Sequence, residues 1–463
     1  MEGAAVNGGS HRRIPGASWW VAAACAAPLA LSHDIGGAIG LVALAPLMLV
    51  ARRWDQPFAH GFLCGFVEVG ATMIAAGAYS PMVPLVLALQ GGLARGALAW
   101  AVRRGVGPWL PVAVLVVGQG LRASSVLTLP LSTGHDLATT PWLAWPAAFG
   151  GGALLTALCG LVAYALSHRN GARRALTVVA ILVVAAGLHE LLRPSAAAEV
   201  RLEASVIQGG VPAWAYNSAS IDPPLAAAIA ERYLARAEAE PKDRLLILPE
   251  TAVRENYGHG PATARFAALH QRGNGLIVGV PRRVDGYLRN QALVWPAQAE
   301  QPVFQDKQML VPVVEREFEG LDGAPLTLPG GGRLMICIES VYPPMASGVD
   351  LRWLLVITND AGVGRSTPRR AFERESRLRA IETGLSLVRA GQDGLTYALD
   401  PRGMILRHLP RYGAGTLRVD ALPGPRATLR GAAGDWFWWL CLGVVAVTVR
   451  RREIPSSRGR EQP

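Results

Sequence analysis

Up to about residue 193 the chain is a succession of long apolar runs separated by short polar connections. A bilayer core of about 30 Å requires about 20 apolar residues per helix. Runs at 17–33, 36–51, 57–78, 81–102, 108–129, 142–167 and 174–192 reach or approach that length, and one more lies at 435–449. The pattern predicts a polytopic α-helical domain of seven spans in residues 1–193, a C-terminal span at 435–449 and a basic tail at 450–463, about eight transmembrane helices in all. The first run has the length of a signal peptide and follows Arg12 and Arg13, but six further spans come after it, so it reads as a retained helix.

Residues 200–425 have a different pattern, with frequent charges and short apolar runs. β-Type runs occur at 204–207, 244–248, 275–280, 334–338 and 353–357, each bounded by turn residues as buried strands are. Helical stretches fall between and after them at 222–239, 261–271 and 369–386. Strands alternating with helices predict an α/β domain with helical layers over a sheet.

Composition sharpens this picture. Of the 463 residues 51% are hydrophobic and 17% charged, against roughly 25% charged in an average soluble domain. That excludes a wholly soluble enzyme and a disordered chain. The net charge of +11 is explained by where the arginines sit. Arg12 and Arg13, Arg52 and Arg53, Arg103 and Arg104, then Arg169, Arg173 and Arg174 occupy alternate connections, and Arg450, Arg451 and Arg452 follow the last span. The connections near 34–36, 79–80 and 130–141 have no Lys or Arg. Because cytoplasmic loops collect positive charge, both termini are expected in the cytoplasm and residues 194–434 on the opposite face. The basic balance is thus largely topological and makes no case for a nucleic-acid partner. Glu68, Gln90, Arg95, Gln119 and Arg122 lie inside spans, where charge is costly and often functional; a packing pair such as Glu68 with Arg95 is the equally available alternative.

Four of the five cysteines, Cys25, Cys64, Cys159 and Cys441, fall in the expected spans, so no disulfide framework is available. Cys337 alone lies in the α/β segment, at the end of an apolar strand. A core cysteine would suit that position, and so would a reactive thiol at a sheet edge. Two residues favour chemistry: Glu250 ends another strand in Leu248-Pro249-Glu250, and Lys307 is one of only two lysines, the other being Lys242. A thiol, a carboxylate and an amine form a coherent set for acyl transfer. The carboxylate takes the thiol proton and later returns it to the leaving group. The ammonium is expected to lower the thiol pKa and to receive the oxyanion.

These residues resemble the Glu, Lys and Cys set of the carbon-nitrogen hydrolase (nitrilase) superfamily, and with seven preceding spans and one following, the chain is similar over essentially its whole length to the bacterial apolipoprotein N-acyltransferase family. The corresponding segments are Leu248-Pro249-Glu250-Thr251-Ala252; Lys307 with Leu310-Val311-Pro312 and Glu315; and Ile336-Cys337-Ile338-Glu339 with Pro343. Asn359-Asp360-Ala361, Arg379-Ala380-Ile381-Glu382, Arg389-Ala390 and Asp400-Pro401-Arg402-Gly403 follow in the family's order, and Gln208-Gly209-Gly210 with Trp214 resembles a substrate-side segment. The resemblance implies an α-β-β-α sandwich on the periplasmic side of a bacterial inner membrane. It implies Cys337 as nucleophile, Glu250 as general base and acid, and Lys307 at the oxyanion, with Glu315 and Glu339 in supporting active-site roles and Trp214 toward substrate. A membrane phospholipid would donate an acyl chain through a Cys337 thioester to the N-terminal amine of a diacylglyceryl-cysteine lipoprotein, without metal or nucleotide cofactor; the nine histidines are scattered. The chain departs from the family pattern at Ile338, at Gly362-Val363 and at Gln392-Asp393-Gly394. The alternative implied by such departures is a membrane-bound nitrilase-fold protein acting on another acyl or amide substrate, or in conjugal transfer as in proteins of the TraB type.

Overall fold

The computed structural model describes residues 15–453 except 79, 106, 125–131, 169–170, 193–196, 220–221, 256, 312–313, 321–324, 362–363 and 365. Arg12, Arg13, Arg169, the end of the run expected at 108–129 and the tail beyond residue 453 lie outside the described residues.

The N-terminal part is helical: α1 (Pro15–Ala24), α2 (Ala26–Ile35), α3 (Ile39–Val42), α4 (Ala45–Ala51), α5 (Pro57–Met73), α6 (Met82–Arg103), α7 (Trp109–Ala123), α8 (Pro141–Ala144), α9 (Ala147–Leu166) and α10 (Gly171–Leu192). Two expected spans are interrupted, and proline accounts for both breaks. A proline ring collides with the carbonyl four residues earlier and supplies no N–H. Pro28 therefore ends α1 at Ala24, and Pro46 ends α3 at Val42. Among the described residues three helices are long and apolar enough to cross a membrane, Pro57–Gly77, Met82–Arg103 and Ala147–Leu166, while Ile39–Ala51, Trp109–Ala123 and Trp436–Arg450 are apolar but shorter. The helices follow the expected order, but length and composition support three spans where about eight were expected.

α5 and α6 pack backbone to backbone through small residues, as membrane helices do. A Cβ on Gly65 would lie 2.2 Å from the Gly91 carbonyl oxygen, so no other residue fits there without separating the helices. Beside this seam Glu68 and Arg95 form the anticipated pair, at 2.7 and 2.8 Å. The pair is part of a longer chain. His33 bonds Glu68 at 3.0 Å and Asp136 at 3.2 Å, and Arg95 donates to Thr133 at 2.8 Å.

The α/β part comprises β1 (Val200–Gln208), α11 (Ala213–Ser218), α12 (Pro223–Ala239), β2 (Leu245–Ile247), α13 (Pro261–Gln271), β3 (Gly275–Val284), β4 (Tyr287–Trp295), β5 (Val303–Asp306), β6 (Thr327–Leu328), β7 (Gly332–Ile336), β8 (Trp353–Thr358), α14 (Thr367–Thr383), β9 (Ser386–Gly391), β10 (Tyr397–Leu399), β11 (Ile405–His408) and β12 (Gly415–Leu422), followed by α15 (Leu429–Ala433) and α16 (Trp436–Glu453). One sheet has the order β12-β1-β2-β3-β4-β5, the other β11-β10-β9-β8-β7-β6. Each has three parallel central strands with antiparallel strands outside them.

The two-residue period of the strands assigns their side chains to layers. Ile247, Ile277, Ile336, Leu355 and Ile357 meet between the sheets. On the outer face of the first sheet Leu246, Leu248, Leu276 and Val278 pack against Tyr233 and Leu234 of α12 and Phe266 and Leu269 of α13. On the outer face of the second, Met335, Leu354, Val356 and Leu387 pack with Ala380 of α14. The result is the expected α-β-β-α sandwich.

α14 is covered on both sides, since its far face meets the helical part. Arg374 bonds Asp136 at 2.7 Å, His135 bonds Glu375, and the Gly152 N–H donates to Glu382 at 2.8 Å. Gly152 is available because α9 is kinked at Gly151, whose φ is 67°. The arginine-free connections at 34–36 and 130–141 thus touch α14. Arginine-bearing connections meet one another instead, Arg52 with His168 at 3.2 Å and Arg103 with the Arg52 carbonyl at 2.8 Å. α16 packs on α7 through Phe437, Trp438 and Cys441 against Val112, Val116 and Val117.

Removing one partner of a buried ion pair leaves the other charge unanswered, at a cost of about 3–5 kcal/mol. Glu68→Ala is therefore expected to lower the thermal unfolding temperature of the detergent-solubilised protein sharply. Arg95→Ala on top of Glu68→Ala should recover part of the loss, which a thermal-shift series on the two single variants and the double variant would measure.

Candidate active site

Four strand ends carry the candidate residues on the carboxyl side of the sheets, the usual location for chemistry in open α/β sheets. Glu250 follows β2 by three residues, Lys307 directly follows β5, Cys337 directly follows β7 and Asn359 directly follows β8. β5 points the same way as β2 and β3 because two antiparallel pairings separate it from β3. The topology of the first sheet therefore brings Glu250 and Lys307 together, and the packing of the second sheet on it adds Cys337, 87 positions after Glu250.

Lys307 is 2% exposed. Its ammonium donates to Glu250 Oε1 at 2.7 Å and to Glu315 Oε1 at 2.8 Å. Burial alone would push its pKa down, but the two carboxylates override burial and hold it well above the ordinary lysine value. Asn290, in the middle of β4, clamps the same two oxygens through Nδ2, at 2.8 Å to Glu250 and 2.9 Å to Glu315. The second oxygen of Glu250 accepts the Asn359 backbone N–H at 2.8 Å. Glu315 Oε2 accepts the Val311 N–H at 2.8 Å, closing the lysine loop on itself. Behind Glu250 the chain leaves no room for a side chain on β3, since a Cβ on Gly279 would sit 2.4 Å from the Glu250 Cα.

Cys337 occupies a tight turn between β7 and the 3-10 segment Cys337–Val341, with φ at 54°. For a residue with a Cβ this left-handed backbone is strained, the arrangement that projects a nucleophile from a strand end. Glu339 fixes the turn. Its oxygens accept the Ile336 N–H at 2.7 Å and the Gln308 N–H at 2.6 Å, so one buried carboxylate ties the cysteine turn to the residue after Lys307. Burial raises the pKa of the Glu339 carboxyl against these N–H donors.

The Cys337 thiol is pushed up to about 12. Burial is the main cause and the Glu250 charge the next, while Lys307 and a hydrogen bond with Thr358 pull in the opposite direction without prevailing. The ammonium does pull the thiol pKa down, as expected, but burial and the Glu250 charge outweigh it. Lys307 is already shared between two carboxylates, so the cluster of one cation and two anions is net negative toward the sulfur.

Trp214 stands apart from these groups, 69% exposed on the short helix α11. From the same helix it is Tyr216 that reaches inward, bonding Thr251 beside Glu250, and Asn359 Nδ2 also donates to Thr251 at 3.2 Å. Asn290, Tyr216 and Thr358 were not singled out in the sequence. The only signal for Asn290 is its place between two charged or polar neighbours, Arg289 and Gln291, in a segment flanked by apolar residues.

The site rests directly on the helical part. Ile338 and Val341 after Cys337, with Met309 and Val311 after the lysine, pack against Val69 and Met73 at the end of α5, Ala76 just beyond it, and Val83 and Leu87 at the start of α6. The third arginine-free connection, at 79–80, lies between those two helix ends.

No family model matches the chain. It is similar to curated apolipoprotein N-acyltransferases over most of its length. It is 28% identical to that of Pseudomonas putida over 442 aligned positions, covering 84% of this chain and 85% of the relative. It is 26% identical to that of Geobacter metallireducens over 516, covering 95% and 97%. Among solved structures it is similar to a carbon-nitrogen hydrolase superfamily protein of Xanthomonas campestris (17% identity, TM-score 0.39, 53% of this chain and 97% of that one). A second is Nit3 of Saccharomyces cerevisiae, a member of the nitrilase superfamily (13%, 0.38, 57% and 100%).

Because the thiol titrates near 12, its thiolate fraction grows about tenfold per pH unit below that value. Alkylation of Cys337 by iodoacetamide is expected to accelerate from pH 7 to pH 10 without a plateau; a plateau below pH 9 would contradict the raised pKa. Glu250→Gln removes a charge that raises the thiol pKa, so alkylation should become faster in that variant.

Proposed function

We propose that this chain is a phospholipid:apolipoprotein N-acyltransferase that works through a Cys337 thioester. The observation that supports this reading most is the nucleophile's position. Cys337, in the electrostatic field of Glu250 and Lys307, packs at the end of the inter-sheet core, and the residue directly after it, Ile338, enters the apolar seam formed with the tips of α5 and α6. There an acyl chain can reach the sulfur without leaving apolar surroundings.

Cys337 Sγ attacks the ester carbonyl carbon of the donor lipid while Glu250 takes the thiol proton. Lys307 has three N–H donors, of which two bond Glu250 and Glu315. The third is free to meet the oxyanion of the tetrahedral intermediate. As that intermediate collapses, protonated Glu250 gives its proton to the departing glycerol oxygen, releasing lysophospholipid and leaving the thioester. The α-amine of a diacylglyceryl-cysteine lipoprotein then attacks the thioester carbonyl. Glu250 removes the amine proton and returns it to the departing sulfur, restoring the thiol. Asn290 and Glu315 keep Glu250 and Lys307 in register, and Glu339 keeps the lysine loop against the cysteine turn. Trp214, exposed near the mouth formed by α11, is assigned to the acceptor side.

The arginine pattern orients the rest. The arginine-bearing connections and the tail would lie in the cytoplasm, with residues 200–425 on the periplasmic face of a bacterial inner membrane. About eight helices would then cross or enter the bilayer, the shorter ones within the bundle. A second reading keeps the same chemistry for another acyl or amide substrate. It is favoured by the loop after β8, where Gly362-Val363 replaces two aromatics of the family pattern.

Two measurements separate these readings. In membranes supplied with labelled phospholipid, wild type should accumulate a hydroxylamine-sensitive acyl-enzyme, and Cys337→Ala should form none while still inserting into the membrane. Glu250→Gln should lose acyl-enzyme formation by roughly three orders of magnitude or more, although its thiol alkylates faster. Complementation of a bacterium depleted of its own lipoprotein N-acyltransferase, read by mass spectrometry of lipoprotein N-termini, should restore the third acyl chain. Good expression with no third chain would favour the second reading.

A further inference from the structure

A cleft of about 150 Å³ lies on the membrane-helix side of the α/β domain, away from the sulfur and lined by Ser366, Arg369, Arg370, Leu395, Arg411 and Tyr412. Its floor is the first turn of α14, a 17-residue helix whose N-cap, Ser366, makes no capping bond. The leading N–H groups of a helix have no intrahelical partner and favour an anion. Three arginines around one helix start strengthen that preference.

A second observation points to a ligand. Arg369 is 4% exposed, yet among the described residues its Nε has no partner, and neither has the Ser366 hydroxyl. The rest of the Arg369 guanidinium is engaged: Nη2 with the Asp393 carbonyl and with Asp360 at 3.4 Å, Nη1 with the Gly364 carbonyl at 3.4 Å, and its plane 5.2 Å from the Tyr412 ring centre. A buried donor left open toward a cavity is costly unless something occupies it.

The carboxylates nearby do not fill this role. Arg370 bonds Asp34 at the end of α2, and Arg411 bonds Glu373 at 3.1 Å, but the Arg370, Asp34 and Arg411 side chains are 42%, 46% and 57% exposed. The Arg370–Asp34 pair is exposed on both sides and so weak and exchangeable, while Arg411 reaches a buried Glu373 from an exposed position; each guanidinium has five donors. The cleft borders α2 on one side. On the other, Asp360 follows Asn359, whose N–H holds the catalytic Glu250.

We propose that this cleft binds the phosphodiester of a membrane glycerophospholipid, seating the headgroup of the acyl donor. The inference rests on the acyl-transfer reading for the word donor, and on the cleft alone for phosphate recognition. Phosphate and arginine match in a bidentate fork, which lysine does not reproduce. The side chains on the page read the phosphate and the glycerol beyond it, not a particular headgroup alcohol.

Binding is measured on the full-length chain carrying Cys337→Ala, in detergent, so that no chemistry intervenes. The probes are dihexanoyl-phosphatidylglycerol, dihexanoylglycerol lacking phosphate, and inorganic phosphate. Arg411→Gln and Arg370→Gln, each at a partly exposed position, should weaken the phosphatidylglycerol about tenfold and leave dihexanoylglycerol unchanged. Equal affinity in wild type and both variants overturns the proposal, as does dihexanoylglycerol binding as tightly as the phospholipid. Inorganic phosphate binding as tightly as the phospholipid would make the ligand a free anion and remove the lipid from the assignment. An acyl-enzyme that still forms while the arginine variants bind lipid normally sinks this inference and spares the acyl-transfer reading. Arginine-dependent lipid binding without any acyl-enzyme does the reverse.

Discussion

A buried ammonium has to be answered by negative charge, and in this protein Lys307 imposes that condition on everything near the thiol. One carboxylate would neutralise it; two are present, with an asparagine bridging them. The excess negative charge adds to burial in favouring the protonated form of the sulfur.

The same logic of answered charge extends into the helical part. α14 carries arginine and glutamate on nearly every face and is still buried, because its partners are Asp136, His135 and a backbone N–H freed by the kink in α9. From Arg374 the ladder continues through Asp136, His33 and Glu68 to Arg95. Polar groups placed within apolar helices thus serve docking, and the apolar seam at Ile338, Val341 and the α5–α6 tips completes the joint beside the thiol.

Much of this was legible in the sequence where a segment's surroundings are set by its own pattern. The run Trp353–Thr358 is buried on both faces and reads as a continuous apolar strand. The helix at Pro261–Gln271 is bracketed by Gly260 and Arg272-Gly273, and its limits were evident. Glu250 and Cys337 declared themselves by standing at strand ends, and Lys307 by being one of only two lysines. Other features depend on partners far along the chain. β4 contains Arg289-Asn290-Gln291, a polar stretch that hides a strand, and Asn290 is explained only by carboxylates 40 positions before it and 25 after it. α14 reads as a helical stretch at 369–386, but its burial on both sides does not, because sequence shows charge and not what faces it. The breaks at Pro28 and Pro46 were present in the letters but outweighed by hydropathy.

The order of synthesis gives α14 one more meaning. The ribosome makes residues 15–192 first, so Asp136, His135 and the kinked α9 are in place before residues 367–383 emerge. The α/β domain therefore matures against a receptor from its own chain, and a domain severed from that receptor would leave Arg374 without Asp136 and reduce Glu375 and Glu382 to a shared Arg379. Folding of the second part of the chain is thereby tied to the part made before it.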